Sequence, residues 1–215
     1  AGTDSERLAL AKPMKNLADL VHELYQERNE LSELLARPDL SEALRKADEA
    51  VKKRFGDLWD DLAPETKSYL RETELFSQES FLTHIHWLMP VSFHHALESE
   101  LEAKFTPGLP RSLKPQDTSQ RSSVYWAIEI LEKRLSNEKA QREVRQRFRG
   151  GHWLVSERKK HQEALEDIRH HRNCIEHPGK EEKYSASSAT LLIEKRWKSD
   201  WLVRFLKAVQ LPRRP

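Results

Sequence analysis

Six glycines in 215 residues is the tightest limit this chain places on its own fold. Glycine supplies the positive φ angles of tight hairpins and the bare backbone of phosphate-cradling loops. At the usual share of about 7%, a chain of this length would carry about fifteen. Glycine-rich nucleotide loops, collagen repeats and most tight-turn β architectures are therefore excluded. Charged residues make up 33% of the chain, and Leu, Ala, Glu, Lys and Arg are abundant. That composition favours helices with solvated outer faces, so the expectation is an all-α protein. A single cysteine, Cys174, rules out an internal disulfide and a cysteine-based zinc site. No apolar run approaches 18 residues, and no signal peptide is recognisable, which predicts no membrane span and a cytoplasmic setting. The chain opens Ala1-Gly2-Thr3 without methionine, as a segment of a larger protein would.

Apolar spacing predicts the elements. Leu17, Leu20, Val21, Leu24, Leu31, Leu34 and Leu35 step by three and four, which predicts a helix over 5–36. Pro38 ends it, and a second helix comes next over 40–60. Pro64 suits the first turn of a third helix, ending near Phe76. Residues 77–89 read as helical with a kink at Pro90, before a stripe of Phe93, Ala96, Leu97, Leu101 and Phe105. Pro107, Gly108, Pro110 and Pro115 mark a proline-rich excursion over 106–122. One helix is expected over 124–148, stopped by Gly150 and Gly151. Ser156 offers an N-cap to a helix over 157–176, closed by Pro178-Gly179. A last helix is expected over 188–209. The predicted domain organisation is an N-terminal helical arm over 1–57 and a helical domain over 58–215.

Charge is unevenly placed. The chain has 37 basic and 35 acidic residues, a net +2. Between Lys139 and Arg172 there are ten basic residues against five acidic ones, a local +5. Such a cluster attracts polyanions. Arg145, Arg149, Lys159, Lys160, Arg169, His170 and His171 are therefore candidate RNA-binding residues, and Trp153 is a candidate for base stacking.

The densest polar run is Arg169-His170-His171-Arg172-Asn173-Cys174-Ile175-Glu176-His177-Pro178, at a predicted helix end. Asn173 and His177 are four apart and share a helix face. Arg172 lies five before His177, about 140° away on an ideal helix. The two converge through the long arginine side chain or a loosened last turn. Histidine moves protons near neutral pH, arginine holds phosphate bidentately, and asparagine orients either. A base plus a phosphate clamp is the minimal kit for cutting RNA without metal. The base takes the 2′-hydroxyl proton, the oxygen attacks phosphorus, and arginine stabilises the charge that develops. A symmetric dimer would supply a second histidine for the leaving 5′-oxygen.

The stretch Arg172-Asn173-Cys174-Ile175-Glu176-His177 resembles the Arg-Asn-three-residues-His motif of HEPN domains (higher eukaryotes and prokaryotes nucleotide-binding). The resemblance covers 58–206. It implies an all-helical HEPN-like bundle, here with additional N-terminal helices, and a homodimer with one composite site. It also implies metal-independent endoribonuclease activity without cofactor, through a 2′,3′-cyclic phosphate, in a toxin or antiviral defence setting. Arg172 and His177 become the implied catalytic residues, with Asn173 the polar residue beside the arginine. Phe93-His94-His95-Ala96-Leu97-Glu98-Ser99-Glu100-Leu101 resembles the family's earlier core helix, which often carries an acidic residue facing the site. Glu98 or Glu100 would be that accessory residue. Because an unregulated ribonuclease is toxic, a controlling domain or partner protein is expected. The alternative is a non-catalytic HEPN-like module that binds a nucleotide, RNA or a protein. A third possibility is a helical adaptor working through its N-terminal arm. His84, His86, His94 and His95 invite a metal reading, but the His-Glu-x-x-His signature is absent, and no metal site is predicted.

Overall fold

A computed structural model describes residues 40–78, 81–82, 85–114, 122–176 and 184–212. The predicted helix over 5–36 lies outside the described residues, as does His177. The chain divides into compact units of 1–43 and 44–215. The division falls ahead of the expected 57/58 boundary, because Ala47, Val51 and Phe55 are buried with the second unit's core.

Every regular element among the described residues is helical. Helix α1 (Leu40–Phe55) ends at Gly56, whose φ of +50° is a left-handed conformation that other residues avoid. Its N–H donates to Lys52 O at 2.9 Å, closing the last turn. A single turn, α2 (Leu58–Asp61), leads to α3 (Pro64–Phe76), with proline in its first turn as expected. Helix α4 (Leu88–Glu100) contains Pro90 in its own first turn, where a missing N–H breaks nothing, so Pro90 starts a helix rather than kinking one. A π-helical stretch (Leu101–Phe105) and a short α5 (Thr106–Gly108) prolong it. The proline-rich excursion is therefore packed at its start, with Leu109 and Leu113 in the core.

The helix expected over 124–148 is two: α6 (Ser123–Glu132) and α7 (Glu138–Arg147), joined by a 3₁₀ turn, Arg134–Ser136. Asn137 caps α7, its side-chain oxygen accepting from Lys139 N at 2.8 Å and Ala140 N at 3.4 Å. Gly150 and Gly151 lead into a short α8 (Gly151–Ser156). Ser156 is the last residue of α8 and donates back to Trp153 O, so it does not cap the next helix as expected. That helix, α9 (Arg158–Glu176), is the longest of those described. Ser185 caps α10 (Ala186–Leu192), a π turn spans Ile193–Trp197, and α11 (Asp200–Ala208) is the last described helix. No described helix is long and apolar enough to cross a membrane.

The core runs the length of the second unit. Helix α3 packs on α4, and α9 packs on α6 and α4. Ala164, Leu165 and Ile168 put the inner face of α9 fully into that core. Trp197 is an anchor: its ring meets Phe93 edge-to-face at 5.4 Å, its N–H donates to Glu74 Oε2 at 2.9 Å, and the Arg54 guanidinium lies 4.6 Å above it. An aromatic pair of this kind adds about 0.5–1.5 kcal/mol beyond area burial. That anchor ties α1, α3 and α4 to the π turn, while α9 packs directly on α4, and the candidate site lies between those two helices.

Candidate functional site

The last two turns of α9 carry Arg169, His170, His171, Arg172 and Asn173. Arg172 and Asn173 are partly buried, and an Arg172 Nη1–H donates to Asn173 Oδ1 at 3.2 Å. Asn173 therefore accepts from the guanidinium that precedes it. Across the helix packing stands His94 of α4, only 1% exposed. Burial first, and then the charges of Arg172, His95 and Arg169, push His94 down to about 3. His94 is therefore neutral at physiological pH. Its Nδ1 makes no hydrogen bond among the described residues, although Glu98 Oε2 stands 3.7 Å away. With a neutral imidazole that separation is a polar contact, not an ion pair. The structure thus brings Arg172, Asn173, Arg169, His94 and Glu98 into one neighbourhood. Arg169 also reaches the Tyr125 ring of α6, at 5.6 Å.

Glu98 and Glu100 have opposite fates. Glu98 faces His94, with 28% of its side chain exposed. Glu100 is fully buried, accepting from Ala63 N at 3.0 Å and from Gln210 Nε2 at 2.6 Å. Two donors from distant parts of the chain satisfy its carboxylate, so it pins the start of α3 and the C-terminal segment to α4. The two positions lie two residues apart and so project from different sides of one helix.

The remaining sequence candidates scatter. His171 is buried rather than turned outward: Tyr184 Oη lies 2.9 Å from its Nδ1, and Asp167 Oδ1 lies 4.0 Å from its Nε2. Burial lowers its pKa despite the neighbouring carboxylate, and burial raises the Tyr184 phenol. The tautomer with hydrogen on Nε2 fits both neighbours, so Tyr184 O–H donates to Nδ1. Asp167 is itself paired with Arg196 at 2.8 Å. His170 is exposed, its Nε2 3.6 Å from Cys174 Sγ one turn on. Lys159 and Lys160 are exposed at the far end of α9, where Lys160 pairs with Glu157. Arg145 donates to Gln141 Oε1 on the α7 surface.

Arg149 and Trp153 lie together, away from Arg172. Arg149 Nη1 pairs with Asp61 Oδ2 at 2.6 Å, and its Nε–H donates to Leu211 O at 3.1 Å. Trp153 packs against His161 at 4.2 Å between ring centres. His161 is fully buried: Trp201 Nε1–H donates to its Nδ1 at 3.0 Å, so its hydrogen is on Nε2 and points to Trp153 O at 3.3 Å.

His94 as a neighbour of Arg172 was not legible as such. Its only sequence signal is the i, i+4 spacing to Glu98. Tyr184 carried no signal, because its pairing to His171 is tertiary. Among the described residues, no group of three or more His, Cys, Asp or Glu side chains is arranged to hold a metal ion. Compared with known proteins, the chain matches no family model, no curated protein and no solved structure.

Proposed function

We propose that this chain is an endoribonuclease that cuts RNA without a metal and leaves a 2′,3′-cyclic phosphate. The observation that carries the reading is the hydrogen-bonded Arg172–Asn173 pair at the end of α9, whose charge acts on buried His94, itself 3.7 Å from the half-buried Glu98. His177 lies four residues after Asn173, in the order that resembles the HEPN motif.

In this reading Arg172 binds the non-bridging oxygens of the scissile phosphate, and Asn173 holds the guanidinium at the right angle. His177 takes the proton from the 2′-hydroxyl. That oxygen attacks phosphorus, and the P–O5′ bond breaks. The leaving oxygen needs a proton, which a second copy of the chain supplies through its own histidine in a homodimer. A proton carrier at neutral pH needs a pKa near neutrality. His94, held at about 3 by burial and neighbouring cations, does not meet that requirement. His177 takes the role by its place in the motif. Such an enzyme needs control by another domain or partner, as in toxin and antiviral systems.

The test is direct. RNA incubated with the protein in EDTA is cut, and the new ends are cyclic phosphates. His177→Ala abolishes cutting while its helical circular dichroism matches wild type. Equal cutting by that variant overturns the assignment. Retained RNA binding with no cutting by the wild-type chain favours the non-catalytic module instead.

A further inference from the structure

A second site lies where α8 meets α11. Its position is set by backbone. Arg149 N donates to Gln210 O at 2.9 Å, and Gly150 N donates to Ala208 O at 3.1 Å. A side chain on Gly150 would overlap Ala208, so only glycine allows this approach. Beside the junction a cavity of about 320 Å³ is lined by Arg149, Gly150, Trp153, Arg204, Lys207 and Ala208. Three of the six are cations, one is an indole, and none is acidic. The Arg204 guanidinium lies 4.8 Å from the Trp153 ring centre, and Arg204 and Lys207 are both exposed. Trp153 is packed from within by His161, and Arg204 covers it from outside. A guanidinium seated on an indole still offers its N–H edge to phosphate and a planar surface to a base.

The neighbouring cavity sharpens the choice of ligand. It measures about 510 Å³ and shares Arg149 and Lys207, but it adds Asp57, Asp60 and Asp61. The Arg149–Asp61 ion pair sits where the two cavities meet. An anion is repelled from the acidic side and drawn to Arg204 and Lys207. The cationic cavity therefore suits a ligand that combines a planar ring with a phosphate.

We propose that the Trp153–Arg204–Lys207 cavity binds a nucleoside phosphate, either a free mononucleotide or one unit of a single-stranded RNA. The site is separate from the Arg172 motif and does not depend on the nuclease reading. It stacks the base on the Trp153–Arg204 pair and holds the phosphate with Arg204 and Lys207.

The experiment titrates the full chain with AMP and with an uncleavable 2′-O-methyl hexanucleotide, using tryptophan fluorescence and calorimetry. Saturable binding is expected, weakened about tenfold or more in Arg204→Ala and in Lys207→Ala. Trp153→Phe keeps a ring and loses less than Trp153→Ala. Lys53→Ala removes one charge from the exposed face of α1 and leaves binding unchanged. If hexanucleotide binds no more tightly than AMP, the ligand is a free nucleotide; tenfold tighter binding identifies a strand. No saturable binding of either probe overturns the proposal. So does an equal loss in Lys53→Ala, or heparin competing as well as the hexanucleotide, since either shows charge alone. The hexanucleotide comparison is made in Arg172→Ala, which retains AMP binding, so failure of this site and failure of the cleavage reading are separable.

Discussion

Near each end of α9 a buried histidine meets the charge of an arginine, His161 on α9 itself and His94 on α4, and the two are bonded differently. At the start of the helix, His161 has both ring nitrogens engaged, one by Trp201 N–H and the other with Trp153 O. At the far end, His94 of α4 approaches Arg172 and Arg169 with no hydrogen bond at Nδ1 and Glu98 just out of reach. The first arrangement is complete, as expected of a histidine that fastens helices together. The second leaves Nδ1 without a hydrogen bond among the described residues, with Glu98 at 3.7 Å and the charges of Arg172 and Arg169 acting on the ring. Burial does not separate the two arrangements; their hydrogen bonding does.

The largest expected effect tests the far end. Arg172→Ala lowers RNA cleavage by at least about 10²-fold, the scale for losing one preorganised charge-stabilising group. Arg172→Lys restores only part of it, because lysine lacks the bidentate fork. Removing the guanidinium also takes away a positive neighbour of His94, so the His94 pKa rises from about 3 in an NMR titration. Unchanged cleavage in Arg172→Ala breaks the contrast between the ends.

The near end should fail by stability instead. His161→Ala strands Trp201 N–H and opens a void among Trp153, Trp201 and Phe205, while Trp153 O keeps its bond from Glu157 N–H. The combined cost is about 2–4 kcal/mol, read from the denaturant midpoint. By contrast His94→Gln costs less, since no hydrogen bond to Nδ1 is lost. Equal destabilisation by the two variants would show that His94 is a fastener as well.

How far this contrast is readable beforehand depends on range. The end of α3 at Phe76, the span of α9 and the first-turn proline of α3 come from local chemistry, and the all-helical class comes from glycine scarcity. The break between α6 and α7 did not, because Leu131 and Leu135 continue the apolar stripe straight across it. The stripe is interrupted by the local competition of Asn137 for the backbone amides of Lys139 and Ala140. At the site, the Arg172–Asn173 adjacency is covalent and was legible. The approach of His94 is tertiary, from 78 residues earlier in the chain. Glu98 and Glu100 were inseparable by sequence, since only packing decides which of them meets Ala63 and Gln210.

Acid sharpens the comparison further. Both histidines are held below their ordinary value near 6.5, His94 to about 3 and His161 to a lesser degree, chiefly by burial. In the unfolded chain each takes up a proton near pH 6.5, while the folded protein does not. The unfolded state therefore binds more protons below that pH, and stability falls as pH drops from 6.5 toward the folded value. Each histidine contributes a slope of about 1.4 kcal/mol per pH unit within its window. His94→Gln removes one such slope, and its midpoint declines less than wild type between pH 6.5 and 4.5. Parallel decline of the two proteins would mean that His94 is accessible to protons in the folded state.

The smallest effect concerns the groove beside His161 and has the opposite sign from the others. Asp61→Asn removes the carboxylate paired with Arg149, an ion pair with each side chain a quarter or less exposed. Its loss costs about 1 kcal/mol or less in stability, the scale of a pair near the surface. Arg149 keeps its hydrogen bond to Leu211 O and so remains in place. Its charge is then no longer paired with Asp61 and adds to those of Arg204 and Lys207. AMP affinity should rise about two- to fivefold, with a steeper dependence on salt, because one more phosphate-facing cation is exposed to screening. A fall in affinity would mean that Asp61 works by holding Arg149 toward the ligand rather than by cancelling its charge. The structure favours cancellation: the carboxylate lines the acidic cavity alone, while Arg149 lines both.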